Sequence, residues 1–183
     1  MFSSTLLKEQ KIMRPYYINL ILIIILLCLT STTTTIINAG PVPKNEARRQ
    51  FLGIQNAARK VLGLRPLRWS PKLARYARSY AYERRSDCAL EHSHGPYGEN
   101  IFWGSGDGWT PAQASAAWVA ERLAYNYWSN SCAGGQQCGH YTQIVWRDTR
   151  KVGCARVVCG GGKGVFMTCN YDPPGNYIGE RPY

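Results

Sequence analysis

Two histidines and two carboxylates lie close together in one short stretch of the sequence. Residues 90–100 read Leu-Glu-His-Ser-His-Gly-Pro-Tyr-Gly-Glu-Asn. Because glycine and proline favour turns and break helices, the stretch is predicted to be a loop that can aim several polar side chains at one point. The third histidine, His140, lies in another segment, Cys138-Gly139-His140-Tyr141-Thr142-Gln143. This distribution predicts a shared polar site; the alternative is that the histidines are solvated loop residues.

Imidazole and carboxylate groups together are ligands of many zinc sites, and a zinc ion with an open position for water can support hydrolysis. The metalloprotease signature H-E-x-x-H and the hydrolase signature G-x-S-x-G are both absent from the sequence. Ser93 is a candidate nucleophile beside His92, although neighbours in sequence need not form a hydrogen-bonded pair. We therefore expect a binding protein without enzymatic activity, with a metal-dependent hydrolase as the alternative.

Three helices are predicted to position these segments. Residues 45–62 carry apolar side chains at spacings of three and four, which predicts one buried helix face: Ala47, Phe51, Ile54, Ala58 and Val61. Ser70-Pro71 and Thr110-Pro111 each place an N-cap residue before a proline at the first helical position. A second and a third helix are therefore predicted to begin there.

Glu121 is predicted to lie on the apolar face of the third helix, together with Ala114, Ala117 and Trp118. Burying a carboxylate among apolar side chains is costly unless it is paired or hydrogen-bonded. We therefore expect Glu121 to have a partner, and the histidine segments are the obvious source of one.

The last third of the chain has the pattern of a β-hairpin. Residues 152–158 alternate and are rich in valine, a glycine-rich turn follows at 160–164, and a second apolar run covers 165–171. Cys159 and Cys169 stand near matching positions, so a disulfide between them could close the hairpin. Helices followed by strands predict an α+β domain whose helices are layered on an antiparallel sheet.

The N-terminal residues have the pattern of a secretory signal peptide. An apolar run over 18–29 follows three basic residues, and Ala39 and Gly40 are small enough for cleavage between them. The run is shorter than the roughly 20 apolar residues that a membrane span needs. We expect a cleaved signal peptide over 1–39 and a single domain over 40–183; an uncleaved signal anchor is the alternative.

Cysteine usage agrees with secretion. Cys28 falls in the expected signal peptide, and six cysteines remain, an even number that indicates disulfides formed in an oxidising compartment. A zinc site is the competing interpretation, but the sequence has no C-x-x-C pair. Six cysteines allow 15 connectivities, and their spacing does not choose among them.

The net charge of +11 is unevenly distributed. Residues 44–85 hold twelve Lys and Arg against two Glu, whereas residues 86–183 hold seven against eight acidic residues. We expect the basic residues of 44–85 to bind an anionic cell-wall or membrane surface. The alternative is that they form a solvated helix face. Secretion and the absence of a nucleic-acid-binding motif argue against nucleic acid as a partner.

Three longer motifs stand in order along the second half of the chain. They are Gly-Pro-Tyr-Gly-Glu-Asn at 95–100, Cys-Gly-His-Tyr-Thr-Gln-Ile-Val-Trp-Arg at 138–147 and Cys-Asn-Tyr-Asp-Pro-Pro-Gly-Asn-Tyr at 169–177. These motifs resemble signatures of the CAP superfamily of cysteine-rich secretory, antigen 5 and pathogenesis-related proteins. More narrowly, the chain resembles the basic form of the plant pathogenesis-related proteins of the first class, from about Gln50 to Tyr183.

That resemblance implies a three-layer α-β-α sandwich with an antiparallel central sheet, three disulfides and a central cleft. The family's cleft carries two histidines and two glutamates, which match His92, Glu99, Glu121 and His140; His94 matches no member of that set. The family's disulfide order implies the pairs Cys88–Cys154, Cys132–Cys138 and Cys159–Cys169. Many relatives have His-Asn in the first helix where this chain has Gln55-Asn56, so a role for that histidine is absent here.

Two further segments resemble functional regions of the family. Tyr125, Tyr127 and Trp128 resemble part of a sterol-contacting loop, and aromatic rings suit a flat apolar ligand. Residues 173–183 resemble a C-terminal peptide that plant relatives can release as a defence signal, which predicts cleavage between Asp172 and Pro173. A packed terminus without a signalling role is the alternative.

The residues and the resemblance together predict a secreted, monomeric plant defence protein with antifungal action. We expect it to be extracellular or vacuolar and to bind sterol or membrane lipid. No cofactor is expected to be required, and Zn²⁺ is the candidate cation for the His/Glu cleft. The alternatives are the precursor of a C-terminal signalling peptide and a metal-dependent hydrolase.

Overall fold

The computed structural model describes residues 43–183. The expected signal peptide over 1–39, including Cys28, lies outside those residues. Within the described part of the chain, no helix is both long enough and apolar enough to cross a membrane.

The described residues form helices and strands that are numbered here in chain order. The helices are α1 (Lys44–Val61), α2 (Pro71–Glu83), α3 (Pro111–Ala120) and α4 (Gly139–Ile144). The strands are β1 (Arg68–Trp69), β2 (Gly98–Gly104), β3 (Tyr125–Asn126), β4 (Ser131–Cys132), β5 (Lys151–Val158) and β6 (Val165–Asp172). Single 3-10 turns cover Glu121–Leu123 and Gly160–Gly162.

The predicted starts of α2 and α3 are confirmed. The Ser70 hydroxyl accepts from the Leu73 amide at 3.3 Å, and a proline follows at the first position of α2. Thr110 and Gln113 form a capping box at the start of α3, in which each side chain bonds to the backbone amide of the other residue. Both caps satisfy amides that the first turn of a helix otherwise leaves without partners.

The buried face of α1 differs from the predicted one. Phe51 is buried as expected, but the other buried residues of the helix are polar, Gln55 and Arg59, and they follow at spacings of four. Val61 is exposed, and so is Ala117 on α3. The spacing of apolar residues therefore does not predict the buried face of α1 correctly. Two long polar side chains are buried there because they have hydrogen-bond partners inside the domain.

The central sheet has the strand order β1-β5-β6-β2. Strands β5 and β6 form the predicted antiparallel hairpin, and β2 pairs antiparallel with β6 at one edge. At the other edge β1 pairs parallel with β5, a pairing that the sequence does not predict. The predicted loop over 90–100 is also corrected, since Gly98, Glu99 and Asn100 belong to β2.

Helices cover both faces of this sheet, which confirms the α-β-α sandwich. Side chains alternate between the two faces along a strand. One core lies between the sheet and α1, α3 and α4, and it contains alternate residues of β6: Val165, Met167, Cys169 and Tyr171. The other core lies between the sheet and α2, where Phe166 packs with Ala77 and Ala81.

A buried guanidinium ties α1 to the chain between α4 and β5. Arg59 is 0% exposed. It donates to the carbonyls of Arg65 (2.7 Å), Ile144 (2.8 Å), Trp146 (2.7 Å) and Thr149 (3.2 Å). Burial lowers the pKa of Arg59 to about 10, so the group stays charged at neutral pH. These bonds give buried backbone carbonyls a donor, although the Trp146 carbonyl also accepts from the Thr149 amide at 3.2 Å.

Three disulfides are present, and two of the pairings implied by the family resemblance are wrong. The bonds are Cys88–Cys159, Cys132–Cys138 and Cys154–Cys169. The second is as expected. The pairs Cys88–Cys154 and Cys159–Cys169 are not formed.

The register of the hairpin explains the correction. Cys154 and Cys169 are directly opposite each other on β5 and β6. Cys159 lies beyond the end of β5, so it cannot reach Cys169 across the hairpin. The segment after α2 returns to this end of the sheet, where the Gly160 amide donates to the Arg85 carbonyl at 2.9 Å, and it brings its own cysteine to Cys159.

We predict that Arg59→Met lowers the free energy of unfolding by about 3–5 kcal/mol, because it leaves buried carbonyls without their donor. Urea unfolding of the disulfide-bonded protein measures the change. The matched control is Lys60→Met at the neighbouring exposed position of α1, which should change stability by less than about 0.5 kcal/mol. Equal stability of the two variants would contradict a stabilising role for the buried guanidinium.

Candidate functional site

Glu99 on β2 holds His92 on the α2 side of the sheet. Its side chain is 6% exposed, and its carboxylate accepts from His92 Nδ1 (2.9 Å) and from the Ser93 amide (2.8 Å). The side-chain amide of Asn170 on β6 donates to the other oxygen at 3.2 Å. Burial raises the pKa of Glu99, but these hydrogen bonds outweigh burial, so the pKa lies below its ordinary value. Glu99 is therefore ionised at neutral pH.

Glu121 holds His140 in a similar way in the helical layer. Helix α3 ends one residue before it, at Ala120. The carboxylate accepts from His140 Nδ1 (2.6 Å) and from the amides of His140 (2.9 Å) and Tyr141 (3.2 Å). These amides belong to the first turn of α4, which leaves them without helical partners. The expectation that a histidine segment provides the partner of Glu121 is confirmed.

Both histidines present the same ring nitrogen for further binding. A carboxylate can only accept hydrogen bonds, so Nδ1 of each ring is the donor, and in a neutral imidazole the lone pair is then on Nε2. A carboxylate on the far nitrogen is the arrangement that orients metal-ligating histidines in proteins. The geometry therefore suits His92 and His140 as electron-pair donors to an electrophile or a cation. The glutamates would hold the rings in place through Nδ1.

A chain of buried side chains links α1 to His140. The Tyr171 hydroxyl donates to Gln55 Oε1 (3.0 Å) and accepts from Asn100 Nδ2 (3.2 Å). Asn100 Nδ2 also donates to the His140 carbonyl (3.0 Å). Gln55 occupies the position at which many relatives have histidine. Through Tyr171 and Asn100, it is linked by hydrogen bonds to the backbone of His140. The sequence analysis did not predict a role for these three residues in the site. The motifs at 95–100 and 169–177, which contain Asn100 and Tyr171, could have indicated one.

The two Glu–His pairs border one cavity of about 390 Å³. Its polar lining comes from separate segments: His92, Glu99, Asn100, His140, Gln136, Gln137 and Asn176. His94 is not in the lining, and Glu121 meets the cavity only through its histidine. Among residues 43–183, no group of three or more His, Cys, Asp or Glu side chains is placed to hold a metal ion. The expected set of four ligands is therefore not assembled as one cluster.

Ser93 does not form a nucleophile pair with His92. The Ser93 hydroxyl accepts from the Tyr76 hydroxyl at 3.4 Å, and the Ser93 amide donates to Glu99. His92 uses Nδ1 for the same carboxylate. Both residues thus serve to fix Glu99, and the sequence neighbours are not arranged as a catalytic pair.

The aromatic residues expected to contact lipid do not share one environment. Tyr125 packs against Tyr141 (6.2 Å between ring centroids), and Tyr127 stacks on Tyr183 (5.0 Å). Trp128 is 85% exposed. Trp118 is buried in the core, as the sequence favours. Of the three predicted contacts, Trp128 alone presents a large apolar surface to solvent.

The C-terminal tail is docked on this aromatic segment. Arg181 donates to the carbonyls of Tyr127 (3.1 Å) and Trp128 (3.0 Å). The buried Pro182 accepts from the Arg147 amide through its carbonyl at 2.6 Å. At the other end of the tail, the Thr149 hydroxyl donates to the Pro173 carbonyl at 2.9 Å. Residues 173–183 are therefore an irregular terminus bonded to the domain near both of its ends, while Tyr177 and Ile178 between them are exposed. Cleavage between Asp172 and Pro173 stays a prediction.

We predict that Glu99→Gln lowers stability by about 1–3 kcal/mol at pH 7, because the amide cannot accept from all the donors that surround the carboxylate. A carboxylate whose pKa is lowered by folding stabilises the native state above its unfolded pKa, and this contribution is lost as pH falls through the folded pKa. The difference from the parent should therefore shrink below about pH 4. Urea unfolding at pH 7, 5 and 3 measures it, with exposed Glu83→Gln as the control. A pH-independent difference would contradict the assigned role of Glu99.

The chain is similar to known proteins over most of the described domain. A family model described as "CAP: Cysteine-rich secretory protein family" matches residues 52–171, more than half of the chain. The "Pathogenesis-related protein PR-1" of Medicago truncatula is 69% identical over 136 residues, which cover 74% of this chain and 79% of that protein.

Two solved structures have the same fold. Na-ASP-1 superposes with a TM-score of 0.64 at 26% identity, covering 75% of this chain and 41% of that chain. NaASP2, solved with Zn²⁺, gives a TM-score of 0.61 at 27% identity, covering 78% of this chain and 90% of that chain. Sequence and fold lead to the same group: the chain belongs to the CAP family of cysteine-rich secretory proteins, and within it to the pathogenesis-related PR-1 proteins of plants.

Proposed function

We propose that this protein is a secreted plant defence protein that acts on microbial, especially fungal, membranes by binding lipid, with sterol as the favoured class. The PR-1 relatives support the defence role. Three disulfides support residence in an oxidising compartment, outside the cell or in the vacuole. We propose a binding protein that functions as a monomer and requires no cofactor.

The observation that carries the lipid proposal is the exposure of Trp128. A large aromatic side chain that is 85% exposed gains by burial in lipid or against a flat apolar ligand. The loop that carries Trp128 is fixed by the C-terminal tail, because Arg181 bonds to two carbonyls of the loop and Tyr127 stacks on Tyr183. A preorganised loop loses little conformational entropy when it binds. Leu123, just before the loop in the sequence, is also 85% exposed.

We predict that Trp128→Ala weakens binding to sterol-containing vesicles by about tenfold or more, because burying a large apolar side chain contributes about 1.5–3 kcal/mol. Flotation or fluorescence titration with neutral vesicles, with and without sterol, measures the loss. Val61→Ser removes another exposed apolar side chain, on the far end of α1, and should leave binding unchanged. Equal effects of the two substitutions would assign binding to general surface hydrophobicity and remove Trp128 from the proposal.

A second proposal is that the cavity between His92 and His140 binds a divalent cation, with Zn²⁺ as the favoured ion. Its support is the carboxylate on each Nδ1, which leaves both Nε2 atoms free and orients the rings. The similar protein NaASP2 has a structure solved with Zn²⁺. A cation held by two imidazoles would complete its coordination with water. We expect Glu99 and Glu121 to act through the histidines and not as ligands.

We predict that His140→Ala abolishes measurable Zn²⁺ binding and that Glu121→Gln weakens it by about 10–100-fold, because the glutamate orients the ring that binds. Binding should also be weaker at pH 5 than at pH 7, since a proton on Nε2 competes with the cation. Calorimetric titration measures all three. His94→Asn is the control: residue 94 has a backbone φ of 52°, which asparagine tolerates, and zinc binding should not change. Absence of zinc binding in the parent would leave the pairs as structural hydrogen bonds.

The two alternatives from the sequence receive less support. A metal-dependent hydrolase needs a positioned nucleophile or general base beside the cation, and the carboxylates nearest the cavity are already bonded to the histidines and to backbone amides. Release of residues 173–183 as a signalling peptide requires the docked tail to open before a protease can bind it. Both remain proposals that the binding experiments above do not depend on.

A further inference from the structure

We propose that a basic groove on the α2 side of the domain binds a linear acidic polysaccharide. The basic groove is a cavity of about 880 Å³ between the first turns of α1, the outer face of α2 and strand β5. Six cationic side chains line it: Lys44, Arg48, Arg75, Arg78, Arg85 and Arg156. Among the described residues, none that lines the groove is acidic.

The cations of α2 form a straight row. Arg75, Arg78 and Tyr82 are spaced by three and four residues, so they share one face of the helix, and Arg85 follows just after the helix ends. At a rise of about 1.5 Å per residue, the part of the row on α2, from Arg75 to Tyr82, is roughly 10 Å long. A row of that shape is complementary to an extended ligand that carries several negative charges along its length.

Several of these charges are available for a ligand. The ion pairs of Lys and Arg within residues 43–183 involve other residues: Arg49, Arg84, Arg150 and Lys151. Arg75 and Arg78 are exposed and belong to none of them. Glu46 at the start of α1 is bonded to Arg49 and Gln50 and does not line the groove.

Two of the remaining arginines are held in position at the groove, and a third is committed to the protein. Arg48 lies over the Trp69 ring at 5.9 Å, and Arg85 Nε donates to the Val158 carbonyl at 3.3 Å. Arg156 donates to the carbonyls of Trp109 (2.8 Å) and Asp107, so we assign it a structural role. Two acidic residues lie near the groove without lining it: Glu83, which lines a second depression beside Arg75 and Arg78, and Asp107, whose charge acts on Arg156. The six cations of the groove still outnumber these two carboxylates.

The lining of the groove favours sugar rings over other anionic chains. The 60% exposed Tyr82 supplies an aromatic face beside the arginines, and apolar Val157 and Val158 also line the groove. Trp69 lines it as well, but its ring is partly buried and lies under Arg48. Sugar rings pack their C–H faces on aromatic rings, while guanidinium groups bond carboxylates or sulfates in two-pronged fashion. A ligand with alternating rings and anionic groups uses both features at once.

The concave shape of the basic groove favours a polysaccharide chain over a membrane surface as its ligand. A bilayer is broad and flat, so cations on different walls of a groove cannot all approach its headgroups at once, whereas a single polysaccharide chain can lie between them. The exposed side chain best suited to lipid, Trp128, does not line the basic groove. This inference uses a different surface from the lipid and cation proposals and does not rest on either of them.

The test compares two double variants that lose the same charge. Arg75→Ala/Arg78→Ala removes the row on α2, whereas Lys60→Ala/Arg65→Ala removes two exposed cations outside the groove. Titration of the disulfide-bonded protein with a galacturonate oligomer of about ten sugars should show at least a tenfold loss of affinity for the first variant at low salt. The second should remain within about twofold of the parent. The loss should shrink at 0.5 M salt, where screening is strong.

Further binding measurements identify the class of ligand. Tyr82→Ala, which keeps all charges, should weaken galacturonate binding several-fold without changing its salt dependence. A sulfated polysaccharide that binds as well as galacturonate shows that the groove reads anionic sugar chains in general, and a neutral glucan should not bind. Equal losses in both double variants would overturn the proposal in favour of a net-charge effect. So would tighter binding of anionic vesicles or of single-stranded DNA than of either acidic polysaccharide through Arg75 and Arg78.

Discussion

Strand β2 lies at the edge of the sheet, and its register against β6 determines which way each of its polar side chains points. Glu99 points to the α2 side and bonds to His92, whereas Asn100 points to the opposite side and bonds to the carbonyl of His140. Because side chains alternate along a strand, a slip by one residue would separate His92 from Glu99 and the His140 carbonyl from Asn100. Gly98 helps to fix the register, since a Cβ there would clash with the side-chain oxygen of Gln143.

The buried polar groups of α1 extend this constraint through the helical layer. Gln55 reaches Tyr171 at the end of β6 that pairs with the start of β2, and Tyr171 bonds Asn100 in turn. One helical turn further on, Arg59 satisfies carbonyls of the loop that follows α4. His140 is therefore held by Glu121 on one side and by a hydrogen-bonded core on the other. Such a site is rigid before any ligand arrives, which reduces the entropic cost of binding.

The outer surfaces have a different physical character from this polar cavity. The segment from Tyr125 to Trp128 presents one large apolar side chain, and the docked C-terminal tail keeps it in place through Arg181. The basic groove instead combines cations with aromatic faces, and its strongest feature is the row that begins at Arg75 on α2. The three proposed ligands would thus use three separate parts of the described domain.

The cap at Ser70 and the hairpin of β5 and β6 could be predicted from the sequence, because they follow from short-range chemistry. The partner of Glu121 could be predicted for a different reason, the cost of burying an unpaired carboxylate. Long-range contacts in the folded domain set the rest. Apolar spacing placed Val61 in the core and overlooked Arg59, because partners for a buried cation come from residues about ninety positions away. Strand β2 has the pattern of a loop in the sequence, since its pairing with β6 is long-range. The disulfides of Cys88 and Cys154 depend on which chain segments meet in space, and cysteine order carries no information on that.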